Sequence, residues 1–128
     1  MAGPSANLTR ARQNVPLSHF AGLLGINGLT AWLALHSLGR PEEGNVLLSS
    51  TAAGSVGSLV GQFGKLAGCT TVGLTGGADK VQRCVDRFGY DQAFDYKIGE
   101  IGATLDTPLP QGADIYFDNT GGEIFDAA

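Results

Sequence analysis

Residues 46–57 have the sequence VLLSSTAAGSVG, in which a short apolar run leads into small residues and two glycines. The run Val46–Leu48 predicts a buried strand, because strands covered on both faces are apolar throughout. Glycines recur at positions 54, 57, 61, 64 and 68, and these spacings predict a helix from Gly54 to Leu66 with its glycines on one face. Each interior glycine costs about 1 kcal/mol of helix propensity, so we expect the glycines to permit a close approach to this helix.

The segment Ala52–Gly57, between this strand and this helix, matches the dinucleotide-binding fingerprint with alanine in place of its first glycine. Gly54 would let the backbone approach a pyrophosphate, and Gly57 would let the helix pack against a sheet. The N–H groups and the dipole of the helix N-terminus would then face the phosphates. A glycine-lined helix that is packed tightly for stability alone is the alternative interpretation.

Strands and helices alternate along the rest of the chain. Further strands are predicted at residues 71–74, 93–96 and 115–117. Helices are predicted at residues 78–88, with Gly89 as the C-terminal cap, and more weakly at residues 98–105. This alternation is typical of right-handed crossovers and a parallel sheet. We therefore predict an α/β fold with a partial Rossmann-type sheet of about four strands in the spatial order 3-2-1-4.

Two helical segments are predicted before the first strand. Residues 17–24 form a short piece closed by Gly25, and Asn27 is placed to cap the next helix, which Gly39 ends. The predicted apolar face of that helix consists of Leu29, Trp32, Leu33 and His36. We expect His36 to be a hydrogen-bonded structural residue.

The composition is that of one globular domain, with 43% hydrophobic and 16% charged residues among 128. The net charge of -4 and the lack of a basic cluster argue against a nucleic-acid partner. No apolar run of the sequence reaches the length needed to span a membrane. Cys69 and Cys84 fit no metal or redox spacing, so we expect two reduced thiols in a cytoplasmic protein and no metal site.

The residues after the second strand bear on which dinucleotide is bound. Domains that select NAD usually carry an acid here, about 20 residues past the glycines, to bind the ribose 2′-OH. This chain has the neutral stretch Leu74–Gly77 instead, followed by Lys80. A cation at that position suits the 2′-phosphate of NADP. The alternative is a solvated surface lysine, which the neighbouring Asp79 favours.

Five stretches together resemble one protein family. They are AAGSVGSLVGQ at residues 52–62, KLAGC at 65–69, GINGLTA at 25–31, GGADK at 76–80 and FDNTGG at 117–122. They resemble the zinc-independent branch of the medium-chain dehydrogenase/reductase family, in particular its NADPH-dependent alkenal and alkenone reductases (the prostaglandin reductase, leukotriene B4 dehydrogenase and curcumin reductase group). The chain departs from the family at Asn27, Gly64 and Thr120, where proline, alanine and valine are common.

The resemblance implies a role for particular residues of a site that binds NADP. The residues implied to contact the pyrophosphate are Gly54, Ser55, Val56 and Gly57. The other implied contacts are Lys80 with the 2′-phosphate, Tyr96 with the adenosine half, Asn119 with a ribose and Thr30 near the nicotinamide. The resemblance supplies no general acid or base among the residues of this chain.

The same resemblance implies an oxidoreductase that transfers hydride to the C=C bond of a small α,β-unsaturated ketone or aldehyde. The segment before Pro16 shows no amphipathic period, so residues 1–15 are predicted to be a tail or linker, and the resemblance implies a partial NADP-binding domain over residues 16–128. A barrel-like catalytic domain and the C-terminal strands of the sheet would lie outside this sequence, so we expect the chain alone to be inactive. Two alternatives stay open: a quinone reductase of the same branch, and a free-standing nucleotide-binding or interaction module. A homo-oligomer formed through the edge of the fourth strand is also expected.

Overall fold

A computed structural model describes residues 14–128 of the chain. Its strands are β1 (Val46–Ser49), β2 (Thr70–Thr75), β3 (Gln92–Asp95) and β4 (Ile115–Phe117). They pair in parallel in the order β3-β2-β1-β4, which confirms the predicted α/β Rossmann-type sheet and its strand order. The tail or linker expected over residues 1–15 lies, up to residue 13, outside the described residues.

Six helices accompany these strands in the described part of the chain. They are α1 (Leu17–Ala21), α2 (Ile26–Leu33), α3 (Gly57–Leu66), α4 (Ala78–Phe88), α5 (Ile101–Asp106) and α6 (Glu123–Ala127). A π-helical segment, Ala34–Gly39, continues α2. Helix α4 has the predicted bounds, and Gly89 ends it in the left-handed conformation at φ 74°.

Side chains cover both faces of the sheet, as the packing around β1 shows. Side chains alternate across a strand, so Leu47 and Leu48 point to opposite sides. Leu47 packs with Ala31, Leu35 and Val60 from α2, the π-helical segment and α3. Leu48 packs with Val72, Leu74, Leu105 and Ile124, the last two from α5 and α6. This double cover explains why the strand is apolar throughout.

The predicted apolar face of α2 is wrong. Leu29, Trp32 and Leu33 are 49–55% exposed, whereas the buried residues of this helix are Gly28 and Ala31. The reason is a close approach: a Cβ at Gly28 would lie 1.7 Å from the carbonyl oxygen of Leu23. The helix therefore turns its small residues inward and leaves its large apolar side chains outside.

The roles predicted for Asn27 and His36 are also wrong. Gly25, not Asn27, precedes the first helical residue, so Asn27 lies inside α2. The His36 ring packs against Trp32 with 3.8 Å between ring centroids. Its Nε2 atom is buried and has no hydrogen-bond partner among residues 14–128, so the expected hydrogen bond at that atom is absent there.

Helix α3 begins at Gly57 rather than at Gly54. The preceding loop is turned by Thr51, whose φ of 49° is left-handed, and the N–H of Gly54 donates to the Thr51 carbonyl at 2.8 Å. Gly54 and Gly68 thus fall outside the helix, while the three glycines within it are all buried.

Candidate nucleotide-binding site

The carboxyl ends of β1 and β4 lie side by side at the point where the strand order reverses, and the crevice outside such strand ends is where open parallel sheets bind their ligands. Side chains tie the two loops together across it. Ser50, after β1, donates its hydroxyl to Asp118 at 2.9 Å. Asn119 donates its backbone N–H to Ser50 Oγ at 2.7 Å and its side-chain amide to the Ser50 carbonyl at 3.0 Å. The distance between the two loops is thereby fixed.

Asp118 is the centre of the loop that follows β4. Its carboxylate accepts the N–H groups of Gly121 and Thr120 and the hydroxyls of Ser50 and Tyr116. These bonds, above all the one from Gly121, hold the pKa of Asp118 below its usual range. A carboxylate bound in this way gives the loop a defined shape at pH 7.

The N-terminus of α3 lies at the same crevice. Within the described residues, the N–H groups of Ser55, Val56 and Gly57 donate to no protein acceptor, whereas the N–H of Gly54 is used by Thr51. Neighbouring N–H groups at a helix N-terminus form a site for an anion. Three of the four residues predicted to contact a pyrophosphate thus present a backbone donor.

Close packing explains the glycines of α3. A Cβ would lie 2.3 Å from the Thr51 carbonyl oxygen at Gly57, 2.4 Å from the Tyr90 ring at Gly61 and 2.3 Å from Leu47 at Gly64. Gly61 and Gly64 therefore serve packing, as the alternative interpretation holds. Gly57 instead lets the loop from β1 fold against the first turn of the helix.

Tyr90, which the sequence analysis missed, supports this helix from below. Its hydroxyl donates to the Gly57 carbonyl at 2.7 Å, and its ring fills the space beside Gly61 and Gly73. The side chain is 2% exposed, and burial raises the pKa of its hydroxyl far above the usual value. Tyr90 thus helps to fix the orientation of α3 relative to the crevice.

The end of β2 forms the second part of the site. Side chains that follow β3 lie over it: a Cβ at Gly76 would be 2.9 Å from Lys97 Cε and 3.1 Å from the Tyr96 hydroxyl. Asp95 accepts the backbone N–H of Lys97 at 3.0 Å, and this bond, together with the nearby backbone N–H of Gly77, lowers the pKa of its carboxyl. The structure thus places Tyr96 at the strand end together with Lys97, which the sequence analysis missed.

Lys80, Asn119 and Thr30 differ in how they relate to this arrangement. Lys80 is exposed in the first turn of α4, directly after the end of β2. Asn119 lies at the crevice, with its amide nitrogen bound to Ser50. The Thr30 hydroxyl donates back to the Ile26 carbonyl at 2.7 Å within α2. The contact that each residue is expected to make with a nucleotide stays a prediction.

Residues 14–128 contain no group of three or more His, Cys, Asp or Glu that could hold a metal ion. No helix of this part of the chain is long and apolar enough to cross a membrane. Cys69 and Cys84 are buried free thiols, and burial raises the pKa of both, that of Cys84 to about 11.

Known reductases are similar to this chain in sequence. The 2-alkenal reductase (NADP(+)-dependent) of Nicotiana tabacum is 44% identical over 116 residues, which are 90% of this chain and 34% of that protein. The (+)-pulegone reductase of Mentha piperita is 43% identical with the same coverage. The chain thus spans about a third of the length of the relatives it matches. No protein-family profile matches it.

Solved structures agree with these relatives. CurA in complex with NADPH from Vibrio vulnificus superposes with a TM-score of 0.83 at 43% identity, over 86% of this chain and 33% of that one. A quinone oxidoreductase of Pseudomonas syringae pv. Tomato DC3000 gives the same TM-score at 25% identity, over 97% of this chain and 38% of that one. Sequence identity therefore distinguishes CurA from this quinone oxidoreductase, whereas the TM-score does not.

Proposed function

Because the chain is a homologue of NADP-dependent oxidoreductases of the zinc-independent medium-chain type, we propose that residues 16–128 form part of the NADP(H)-binding domain of such an enzyme. The observation that carries the proposal is the crevice between β1 and β4, with unpaired N–H groups at the N-terminus of α3. The pyrophosphate would bind to Ser55, Val56 and Gly57, beside Gly54. The reaction proposed for the whole enzyme is reduction of the C=C bond of an α,β-unsaturated ketone or aldehyde.

The residues of this chain bind and orient the cofactor in this proposal. NADPH, when bound, supplies the hydride that reduces the substrate. Lys80 and Tyr96 would hold its 2′-phosphate and adenosine half, Asn119 would bind a ribose, and Thr30 would lie near the nicotinamide. We assign no proton donor to this chain, because none of its residues is a good candidate for a general acid or base.

The cofactor assignment is tested by calorimetric titration with NADPH and NADH. The 2′-phosphate would gain a charge-assisted hydrogen bond from Lys80, worth about 1.5–3 kcal/mol, so NADPH should bind about 10- to 100-fold tighter than NADH. Asp79 opposes the phosphate, which favours the lower value. Lys80→Ala should weaken NADPH by a similar factor and leave NADH nearly unchanged. An equal loss for both cofactors would mean that Lys80 supports the fold.

A quinone reductase is the second candidate, since a quinone oxidoreductase superposes on 97% of this chain. The lower identity of 25%, against 43–44% for the alkenal and pulegone reductases, disfavours it. Steady-state assays of the protein with its flanking sequence, with an alkenal and a benzoquinone as rival substrates, distinguish the two. A non-catalytic binding module would bind NADPH and reduce neither.

Two further properties belong to the proposal. The two free, buried cysteines fit a reducing compartment, so we propose a cytoplasmic location, which microscopy of the full-length protein with a fluorescent tag would test. The unpaired outer edge of β4 supports a homo-oligomer.

A further inference from the structure

We propose that Lys97 is a second cation of the 2′-phosphate site and raises the preference for NADP(H) over NAD(H). The proposal deepens the proposed function and rests on it. Its basis is the path of the side chain: Lys97 follows β3, yet its Cε lies 2.9 Å from the position of a Cβ at Gly76, at the end of β2. Lys97 therefore folds back over the neighbouring strand end, where the absence of a side chain at residue 76 leaves room for it.

Asp95 fixes the backbone under this lysine. It is the last residue of β3, and its carboxylate accepts the backbone N–H of Lys97 at 3.0 Å. The same carboxylate lies near the backbone N–H of Gly77, and both groups lower its pKa. The backbone of Lys97 is thus held beside the end of β2, and its exposed side chain extends over Gly76.

The local charge explains why a second cation is needed. Asp79 and Asp95 both lie next to the end of β2, so Lys80 by itself leaves a formal charge of about -1 there. A phosphate ester carries up to about two negative charges at pH 7 and would be repelled. Lys97 brings the formal sum of these four groups to zero, and it forms no ion pair within 4.0 Å in the described part of the chain.

The side chains at the end of β2 suit a phosphate better than a ribose hydroxyl. The Tyr96 hydroxyl lies 3.1 Å from the same Cβ position, so a neutral donor and a cation lie side by side. Lysine offers three donors and no acceptor, whereas a ribose 2′-OH is bound best by an acid that accepts its proton. The acid at the end of β3, Asp95, already accepts the backbone N–H of Lys97 at 3.0 Å.

Calorimetric titration of the purified chain with NADPH, NADH and 2′,5′-ADP tests the proposal. Lys97→Gln removes the charge and keeps the length of the side chain. It should weaken NADPH and 2′,5′-ADP by about tenfold and NADH by less than about twofold. Lys97→Arg should restore most of the lost affinity. Arg87→Gln is the matched control, because Arg87 lies in the last turn of α4, about 15 Å along the helix from Gly77, and it should change neither affinity.

Each contrary outcome has a distinct meaning. If Lys97→Gln binds NADPH as tightly as wild type, Lys97 is a solvated surface lysine. This result would overturn the inference and leave the proposed function standing. An equal loss for NADPH and NADH, in a variant whose circular dichroism and urea midpoint match wild type, would assign Lys97 to loop structure and also overturn it. A wild-type chain that is folded and binds neither dinucleotide would instead refute the proposed function, and the inference with it.

Discussion

Cys84 belongs to a small core cluster under the loop that follows β1. It is fully buried on the inner side of α4 and packs with Ala52 and Tyr90. Burial raises the pKa of its thiol from 9.0 to about 11, against a small opposing effect of Arg83. A thiol of this kind is a poor nucleophile at neutral pH, since the thiolate is the reactive form. Its role is therefore packing.

The raised pKa makes stability depend on pH. The native chain keeps the Cys84 proton where the unfolded chain has lost it, so the free energy of unfolding should fall as pH rises from about 9 to about 11. Cys84→Ala removes this contribution and should give a shallower fall over that window. Urea unfolding at several pH values measures both slopes, and parallel slopes for wild type and variant would contradict the prediction.

At the scale of single residues, the sequence fingerprint points to members of the candidate site that are close together in the chain. The backbone donors at Ser55, Val56 and Gly57 are consecutive residues within the segment that the fingerprint covers. Lys97 and Tyr90 were missed, since Lys97 lies over Gly76, 21 positions away, and the Tyr90 hydroxyl binds Gly57, 33 positions away. Contacts of that kind depend on strand order and side-chain direction, which no local pattern encodes.

The packing of helix α3 leaves little room for change. Its inner face touches Tyr90 and Leu47 with no space for another methyl group. Because protein interiors are close-packed, a Cβ on this face must displace a ring or a strand residue. The glycines of α3 lower its intrinsic helix propensity, so its stability depends on packing against the sheet.

Gly61→Ala tests this account against a matched glycine. The new Cβ would lie 2.4 Å from the Tyr90 ring, so overpacking of about 1–3 kcal/mol should exceed the gain in helix propensity of about 1 kcal/mol. A Cβ at Gly102 in α5 would meet nothing within 4 Å, so Gly102→Ala should stabilise the chain by about 0.5–1 kcal/mol. Urea midpoints measure both, and a stabilised Gly61→Ala would disprove the tight packing.

Helices and strands with a strong hydrophobic pattern were predicted more accurately than those with a weak one. The amphipathic repeat of α4 and its Gly89 cap gave both ends of that helix, and the apolar run of β4 gave its bounds. Helix α5 begins at Ile101 rather than at 98, and α6 was not predicted, since helices of five or six residues contain too little periodicity. The inward face of α2 was wrong because hydrophobicity favours Leu and Trp over the glycine and alanine that fit there.

In the whole molecule, β4 is an edge strand within the described residues. Its residues Ile115, Tyr116 and Phe117 are half-buried from the faces, but its outer row of N–H and C=O groups has no strand partner there. Leu38 of the π-helical segment is 83% exposed beside this edge. An unpaired strand next to apolar surface favours pairing with another chain.

We therefore expect the purified chain to associate with itself as its concentration rises. Sedimentation velocity at several concentrations should show dimers or larger species that dissociate on dilution. The addition of NADPH at saturating concentration serves as a control, because the nucleotide would bind at the ends of the strands and not along the edge. A monomer at every concentration would disprove association through β4.

The bonds that define the crevice join residues far apart in the chain. Ser50 and Asp118 are separated by 68 positions, and β1 pairs with β2 about 24 positions on, but with β4 about 68 positions on. During synthesis the N-terminal strands emerge first, so β1 and β2 can pair while β4 is still being made. The crevice is then the last part of the four described strands to form, and a nascent chain would gain the proposed nucleotide site only when residues 115–121 have left the ribosome.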